Sequence, residues 1–242
     1  MDVIIVSKTQ MSNACCIGGV LANGRFVRLL NEQGYNQDVD TVMKIGDVYT
    51  IIFQEKRDKK PPHVEDILVS QMHHKSTFSS INKMVEHLKE VLKVKIWRGS
   101  TEIVFNGKIQ WTSSGSGFIS ESGGIPANSV GFWIPDKDLS RNDYEGKVRF
   151  SYPPIQKSIT IEGLGEVSGK KLWRNIAFVG FQSPADVIPA GTLVRLSLAR
   201  WWSPDEGEKR CFLQLSGWYG IPESKKGSKN QNKNEDIDDL PF

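Results

Sequence analysis

The sequence is dominated by short runs of apolar, β-branched and aromatic residues that Gly, Pro, Asn or Asp interrupt. Runs of this kind predict β-strands joined by tight turns. The predicted strands cover residues 3–7, 15–21, 25–30, 47–54, 64–71, 102–105, 108–111, 130–134, 147–152, 158–161, 172–178, 193–201 and 210–215. Asn23-Gly24 and Asn106-Gly107 each lie between two of these runs, which predicts a β-hairpin at both places. The run 193–201 has apolar residues on both faces and is expected to be a central strand.

One segment has helical periodicity instead. An apolar stripe recurs at helical spacing over Ile81, Met84, Val85, Leu88, Val91 and Leu92, and we expect it to pack into the core. Ser79 or Ser80 offers an N-cap oxygen for this helix. Many short strands with one amphipathic helix and no βαβ alternation predict a mainly β protein built from two small β-barrels.

Chain length and a change in composition divide the sequence into four segments. The 242 residues suffice for two barrels of about 90–120 residues each. We place the first barrel, with the helix, at 1–95 and the second at 96–221. Residues 222–234 are Pro, Glu, Lys, Ser, Gly, Asn and Gln, a composition that cannot bury enough surface to offset its ordering entropy and predicts a flexible, disordered linker. Residues 235–242 form an acidic tip.

The charge distribution agrees with this division. The formal net charge is +3, but from residue 223 onward five acids oppose four lysines, so the tail carries about −1 and the body about +4. A mildly basic body with an acidic tip is typical of a nucleic-acid-binding protein that has a separate protein-docking end.

The acidic tip resembles the C-terminal tip of bacterial single-stranded DNA-binding proteins. The matching residues are Asp236, Asp238, Asp239, Leu240, Pro241 and Phe242, with Leu where Ile is more usual. A terminal Phe offers a ring for an apolar pocket and a carboxylate for a basic partner. The proline lowers the entropy lost when the peptide orders. The resemblance implies that these residues dock bacterial genome-maintenance enzymes.

Motifs in the body resemble the dual OB-containing domain of prokaryotic conflict systems. They are Lys8-Thr9-Gln10-Met11, Cys16-Ile17-Gly18-Gly19, Arg25-Phe26-Val27-Arg28-Leu29-Leu30, Gly46-Asp47-Val48, Pro61-Pro62-His63-Val64-Glu65-Asp66, Val194-Arg195-Leu196-Ser197-Leu198-Ala199-Arg200-Trp201-Trp202 and Leu213-Gln214-Leu215-Ser216-Gly217-Trp218-Tyr219. The resemblance extends to residue 219. It implies two OB-like barrels and a nucleic-acid role.

Several cationic and aromatic residues occur together along the chain. OB barrels hold single strands by stacking bases on aromatic rings within a positive groove. The candidate nucleic-acid-binding residues are Arg25, Arg28, Trp97, Arg98, Lys170, Lys171, Trp173, Arg174, Arg200, Trp201 and Trp202. Successive residues of a strand face opposite sides, so we expect at most one of Trp201 and Trp202 to be a stacking platform.

Enzymatic alternatives have little support. A nuclease or metal centre would need His63, Glu65 and Asp66, yet in a strand Asp66 points away from the other two. The spacing of Cys15, Cys16 and Cys211 fits no zinc site, and buried thiols are expected. No catalytic residue, metal or cofactor is predicted.

The chain has no run near the ~18–20 apolar residues of a membrane span and no signal peptide at its start, which favours the cytoplasm.

The leading hypothesis is a non-enzymatic protein that binds single-stranded DNA, with RNA as the alternative strand, and recruits repair, replication or defence enzymes through its tip. The runner-up is an adaptor that does not hold DNA. Its tip would mimic the host single-stranded DNA-binding protein in an antiphage or mobile-element system. The sequence leaves the oligomeric state open.

Overall fold

The first half of the chain forms a closed five-stranded barrel. The computed structural model describes residues 1–11, 13–154, 158–161, 165–168, 173–203 and 207–220. The strands of the first half are β1 (Asp2–Met11), β2 (Ala14–Leu21), β3 (Phe26–Leu30), β4 (Gln37–Asp38), β5 (Asp47–Glu55) and β6 (Asp66–Thr77). The barrel closes in the order β1-β2-β3-β6-β5-β1, because β1 pairs with both β2 and β5. The short β4 extends β2 at one end.

The strand order is that of an OB fold. The β3–β6 pair is parallel and the other four pairs of the barrel are antiparallel, which is the Greek-key arrangement of this five-stranded barrel. The predicted hairpin at Asn23-Gly24 is confirmed: it joins β2 to β3, and Gly24 adopts the positive φ that this turn requires. Alternate side chains such as Val3, Ile5 and Ile17 fill the barrel core.

The second half forms a larger sheet. Its strands are β7 (Ile96–Gly99), β8 (Gln110–Trp111), β9 (Gly117–Ser120), β10 (Val130–Pro135), β11 (Leu139–Arg141), β12 (Arg149–Tyr152), β13 (Ser158–Ile161), β14 (Gly165–Ser168), β15 (Arg174–Phe178), β16 (Val187–Ile188), β17 (Leu193–Leu198) and β18 (Arg210–Tyr219). The main path runs β16-β11-β12-β15-β18-β17-β10-β7, with β9 and β8 attached to β18 and β13 paired with β14. As predicted, β17 is central, between β10 and β18.

A short helix and both halves share one apolar core. Helix α1 (Ile81–Glu86) starts at Ser80, whose hydroxyl accepts a hydrogen bond from the Lys83 amide, and one π-helical turn (His87–Val91) follows it. The buried helical side chains Met84, Val85 and Leu88 pack with residues of both halves: Ile4, Val6, Val20, Val94, Phe132, Leu193 and Tyr219. The helix therefore lies between the barrel and the second sheet.

The apolar stripe of the helix is only partly buried. Ile81 is 38% exposed and Val91 is 63% exposed, whereas the prediction placed both in the core. In the π-helical turn the Leu92 amide donates to the His87 carbonyl, five residues back. A wider turn of this kind changes the phase of the residues that follow it, and Val91 faces solvent as a result.

The predicted hairpin at Asn106-Gly107 is wrong. Residues 102–105 belong to a 3₁₀ segment (Thr101–Gly107) and not to a strand. Phe105, Asn106 and Gly107 all have positive φ, at 50°, 58° and 76°. The Phe105 ring lies 4.8 Å from the Trp97 ring and is fully buried. We infer that tertiary burial of this side chain offsets the strain of its left-handed backbone.

The prediction of a mainly β protein with an OB-like barrel and one helix is confirmed. The first barrel is closed, and the second sheet remains an open path within the described residues. The boundary at 95/96 stays a prediction, although β7 starts at Ile96 and pairs with β10. At the end of β18, Gly220 lies against Asn82 of α1. The predicted linker 222–234 and tip 235–242 lie outside the described residues.

Candidate nucleic-acid interface

A buried carboxylate at the start of β6 gathers cations from both halves of the chain. Asp66 lies opposite Arg28 in the parallel β3–β6 pair. The Arg28 guanidinium donates two hydrogen bonds of 2.6 Å to the two Asp66 oxygens. Arg200, in the second half, donates to Asp66 Oδ2 at 3.2 Å, and Lys56 Nζ lies 3.8 Å from the same oxygen. One carboxylate thus holds three cations close together at the edge of the barrel.

A second carboxylate lies on the neighbouring strand. Glu55, at the end of β5, accepts hydrogen bonds of 2.6 and 2.8 Å from Arg25, and Lys59 also contacts it. These charge-assisted hydrogen bonds, from Arg25 above all, lower the pKa of Glu55 to about 2. Because the Arg25–Glu55 pair is exposed, it contributes little stability, and a phosphate can compete for the arginine.

The two clusters and the β5–β6 loop form one strongly positive surface, which we call the basic ridge. Its cations are Arg25, Arg28, Lys56, Arg57, Lys59, Lys60 and Arg200, and its acids are Glu55, Asp58, Glu65 and Asp66. Its net charge of +3 equals that of the whole chain. Arg57 and Lys60 are exposed and form no ion pair within the described residues. They are free to contact phosphates.

Aromatic side chains adjoin the ridge. The Trp201 indole donates to the Pro61 carbonyl at 3.0 Å and packs against the core of the second half. The Trp202 ring is 54% exposed, 6.1 Å from Phe212. Trp202 is thus the more exposed of the two tryptophans, and Trp201 contacts the β5–β6 loop.

The other predicted site residues lie elsewhere. Trp97 contacts Asn106 and borders a cavity of about 210 Å³, while its neighbour Arg98 is exposed on β7. Trp173 is 48% exposed beside Arg141 and Asn175. The Arg174 guanidinium lies 4.7 Å above the Trp111 ring, and burial lowers its pKa. Lys170, Lys171 and the docking residues 236–242 lie outside the described residues.

His63 and Glu65 connect the two halves. The His63 ring Nε2 lies 3.2 Å from the Leu198 carbonyl, and the two Glu65 oxygens accept hydrogen bonds from the amide and hydroxyl of Ser129 at 2.6 and 2.7 Å. All four groups are buried. Within the described residues no group of three His, Cys, Asp or Glu side chains is arranged to hold a metal ion. His63 and Glu65 therefore make structural hydrogen bonds between the two halves.

The second half covers much of the face that an OB barrel offers to ligands. OB folds bind strands on the face of their second and third strands and with the loops beside it, including the loop between the fourth and fifth strands. Here Arg28, on that face, contacts the second half through Asp66 and Arg200. The β5–β6 loop, which carries most of the ridge, remains exposed. The fold is that of an OB-type protein, with this basic surface at the edge of its first barrel.

The chain belongs to the dual OB-containing domain family, whose profile matches residues 1–218. A dual OB-fold protein fits a nucleic-acid-binding or adaptor role. No curated protein matches the sequence. In the part of the chain that the structure describes, no helix is both long and apolar enough to cross a bilayer.

Sequence reasoning missed the cations of the β5–β6 loop. Lys56, Arg57, Lys59 and Lys60 form a basic cluster within five residues, a recognisable signal for nucleic-acid contact. Only the fold shows that this loop lies beside Arg200 and Trp201.

We expect His63 to make the protein acid-sensitive. Burial, the largest cause, lowers the pKa of His63 in the folded state. In the unfolded chain the pKa of a histidine is about 6.5. Below that pH the unfolded chain therefore binds a proton that the folded chain does not, and the free energy of unfolding falls as pH falls. Between pH 7.5 and 5.5 the loss is at most about 1.4 kcal/mol. Urea unfolding at both pH values measures it. His63→Gln should remove this component, whereas His73→Gln, at an exposed site on β6, should retain it.

Proposed function

We propose that this protein binds single-stranded nucleic acid on the basic ridge and recruits a second protein through its C-terminal tip, without catalysing a reaction itself. The observation that carries the first part is the concentration of positive charge beside an exposed tryptophan. Phosphates would contact Arg57 and Lys60, whose charges no ion pair neutralises within the described residues. A base would stack on Trp202.

A single strand suits this surface better than a duplex. Stacking on a tryptophan requires a base whose face is free, as in an unpaired strand. The ridge follows the β5–β6 loop. These are the fourth and fifth strands of the barrel, and OB folds often bind nucleic acid with the loop between them. Trp202 directly follows Trp201, whose indole donates a hydrogen bond to the Pro61 carbonyl of the loop. One strand could therefore contact both the loop and the Trp202 ring.

Loss of the two unpaired ridge cations should weaken binding in a salt-dependent manner. We expect R57A/K60A to make the negative slope of log K, the logarithm of the association constant, against log salt less steep by about 1.4, because each phosphate contact on a single strand contributes about −0.7. At about 0.1 M salt this corresponds to about 25-fold weaker binding. Fluorescence anisotropy with an oligothymidine across a salt series measures both quantities.

The matched control is K44A/K147A. It also removes two exposed positive charges, but Lys44 precedes the opposite end of β5 and Lys147 lies in the β11–β12 turn. The control should keep the wild-type slope. Equal losses in both double variants would show that binding follows net charge and not the ridge, and the proposed location would be wrong.

Trp202 and Trp173 form a natural comparison, since they are 54% and 48% exposed on separate surfaces. Trp202→Ala should cost about 1–3 kcal/mol of oligonucleotide binding free energy through lost stacking. Trp173→Ala should change it little. Titration of each variant with the oligonucleotide measures the binding free energy, and circular dichroism verifies that the variant is folded. A larger loss for Trp173→Ala would place the strand on the other surface.

The tip is proposed as the recruiting element because of its resemblance to the single-stranded DNA-binding protein tail. Deleting residues 240–242 should abolish capture of a purified bacterial enzyme that binds such tails, with oligonucleotide affinity unchanged. The swap L240F/F242L keeps composition and charge but removes the terminal phenylalanine, so it should also fail. Capture that survives both changes would contradict recruitment through the tip.

An adaptor that does not hold nucleic acid is the second candidate, and one observation favours it. The second half contacts the β5–β6 loop through the Glu65–Ser129 and His63–Leu198 hydrogen bonds, and its Arg195 lies against Gly18 of β2. If the intact chain captures tail-binding enzymes but shows no salt-dependent affinity for oligonucleotides, the adaptor function holds instead.

A further inference from the structure

A cavity of about 230 Å³ lies between the barrel and the second half. The barrel side contributes Gly18 and Arg28, the β5–β6 loop contributes Glu65, and the second half contributes Ser129, Arg195 and Ser197. At about 30 Å³ per water molecule, the cavity has room for a small organic or inorganic ligand. It is distinct from the exposed part of the basic ridge.

Arg195 is the unusual residue of this cavity. It lies on the central strand β17 and is only 4% exposed. Within the described residues it makes no ion pair, and its buried Nε has no hydrogen-bond partner. An arginine cannot lose its proton in a protein, so its charge persists on burial. Burial of an unpaired charge is strongly unfavourable, and a bound anion would relieve that cost.

The wall of the cavity is shaped around this guanidinium. A Cβ atom on Gly18 would lie 2.5 Å from Arg195 Nη2 and 2.4 Å from the Ser7 hydroxyl. Any larger residue at position 18 would therefore displace the side chain. The close approach depends on the glycine, and it brings the arginine of the second half against the first barrel.

The other charged groups of the cavity already have partners. Arg28 and Arg200 both donate to Asp66, and Glu65 accepts from the amide and hydroxyl of Ser129. Among the described residues no carboxylate lies within ion-pairing distance of Arg195, although Glu65 places one negative charge in the same cavity. The free hydroxyl proton of Ser197, whose oxygen accepts from Ser216, offers a further donor.

We propose that this cavity binds a small anion, through a phosphate or carboxylate group that pairs with Arg195. The planar guanidinium matches either group with two parallel hydrogen bonds. The apolar remainder of the wall, which includes Val27, Val130 and Leu198, would accommodate a small apolar part of the same ligand. This inference does not depend on oligonucleotide binding at the ridge.

The test uses the full-length protein and three probes: inorganic phosphate, acetate and adenosine monophosphate. Isothermal titration gives Kd, and thermal unfolding gives the rise in Tm. At about 100 times Kd a ligand should raise the Tm by about 5–10 °C. Arg195→Met should raise the Kd of the best probe by about 10-fold or more. Arg149→Met removes a cation that lies over Tyr144, outside the cavity, and should leave the Kd unchanged.

Folding of the variants is verified independently. Arg195→Met should not lower the Tm in buffer without these anions, since it removes an unpaired buried charge. Ala199→Leu keeps Arg195 but fills part of the cavity, and it should weaken the same probe. If Arg195→Met does not fold, this second variant decides alone. Binding that neither variant changes, equal stabilisation of all variants, or no binding of any probe would overturn the proposal.

Discussion

A pair of buried carboxylates at the start of β6 fixes the two halves of this protein to one another. Glu65 accepts two hydrogen bonds from Ser129 of the second half, and the adjacent Asp66 accepts from Arg28 of the barrel and Arg200 of the second half. A buried carboxylate is tolerated only when such partners satisfy it, so the position of one half relative to the other is tightly constrained. The basic ridge and the cavity between the halves both depend on this arrangement.

The same contacts change which part of the barrel can meet a long ligand. An isolated OB barrel offers the broad face of its second and third strands. In this chain that face lies against the second half, and the exposed cations are concentrated on the loop at its edge. The proposed polymeric ligand would therefore contact the loop, whereas the cavity around Arg195 has room only for a small ligand. The strand and the small anion are thus proposed to bind at different parts of the contact between the two halves.

Local sequence signals predicted the elements whose conformation is decided locally. Asn23-Gly24 forms the expected hairpin, and Met84 and Leu88 are buried as their spacing indicated. At Asn106-Gly107 the same dipeptide fails, because the burial of Phe105 determines the backbone there. Arg25, Arg28 and Arg200 could be named as candidate cations from the sequence. That Arg28 and Arg200 meet at Asp66 could not be predicted, since Arg200 and Asp66 are 134 residues apart and only the fold brings them together.

The contact of Gly220 with α1 sets the starting point of the C-terminal segment. Gly46, just before β5, also lies against α1, through Ile81. The ridge begins at the other end of β5, nine residues along, or about 30 Å away at the usual rise of a strand. Fifteen residues separate Gly220 from Asp236, and the sixteen steps from one to the other span at most about 55 Å. If the tip recruits a partner and the ridge binds a strand, as proposed, the ridge lies within the distance that the docked partner can reach.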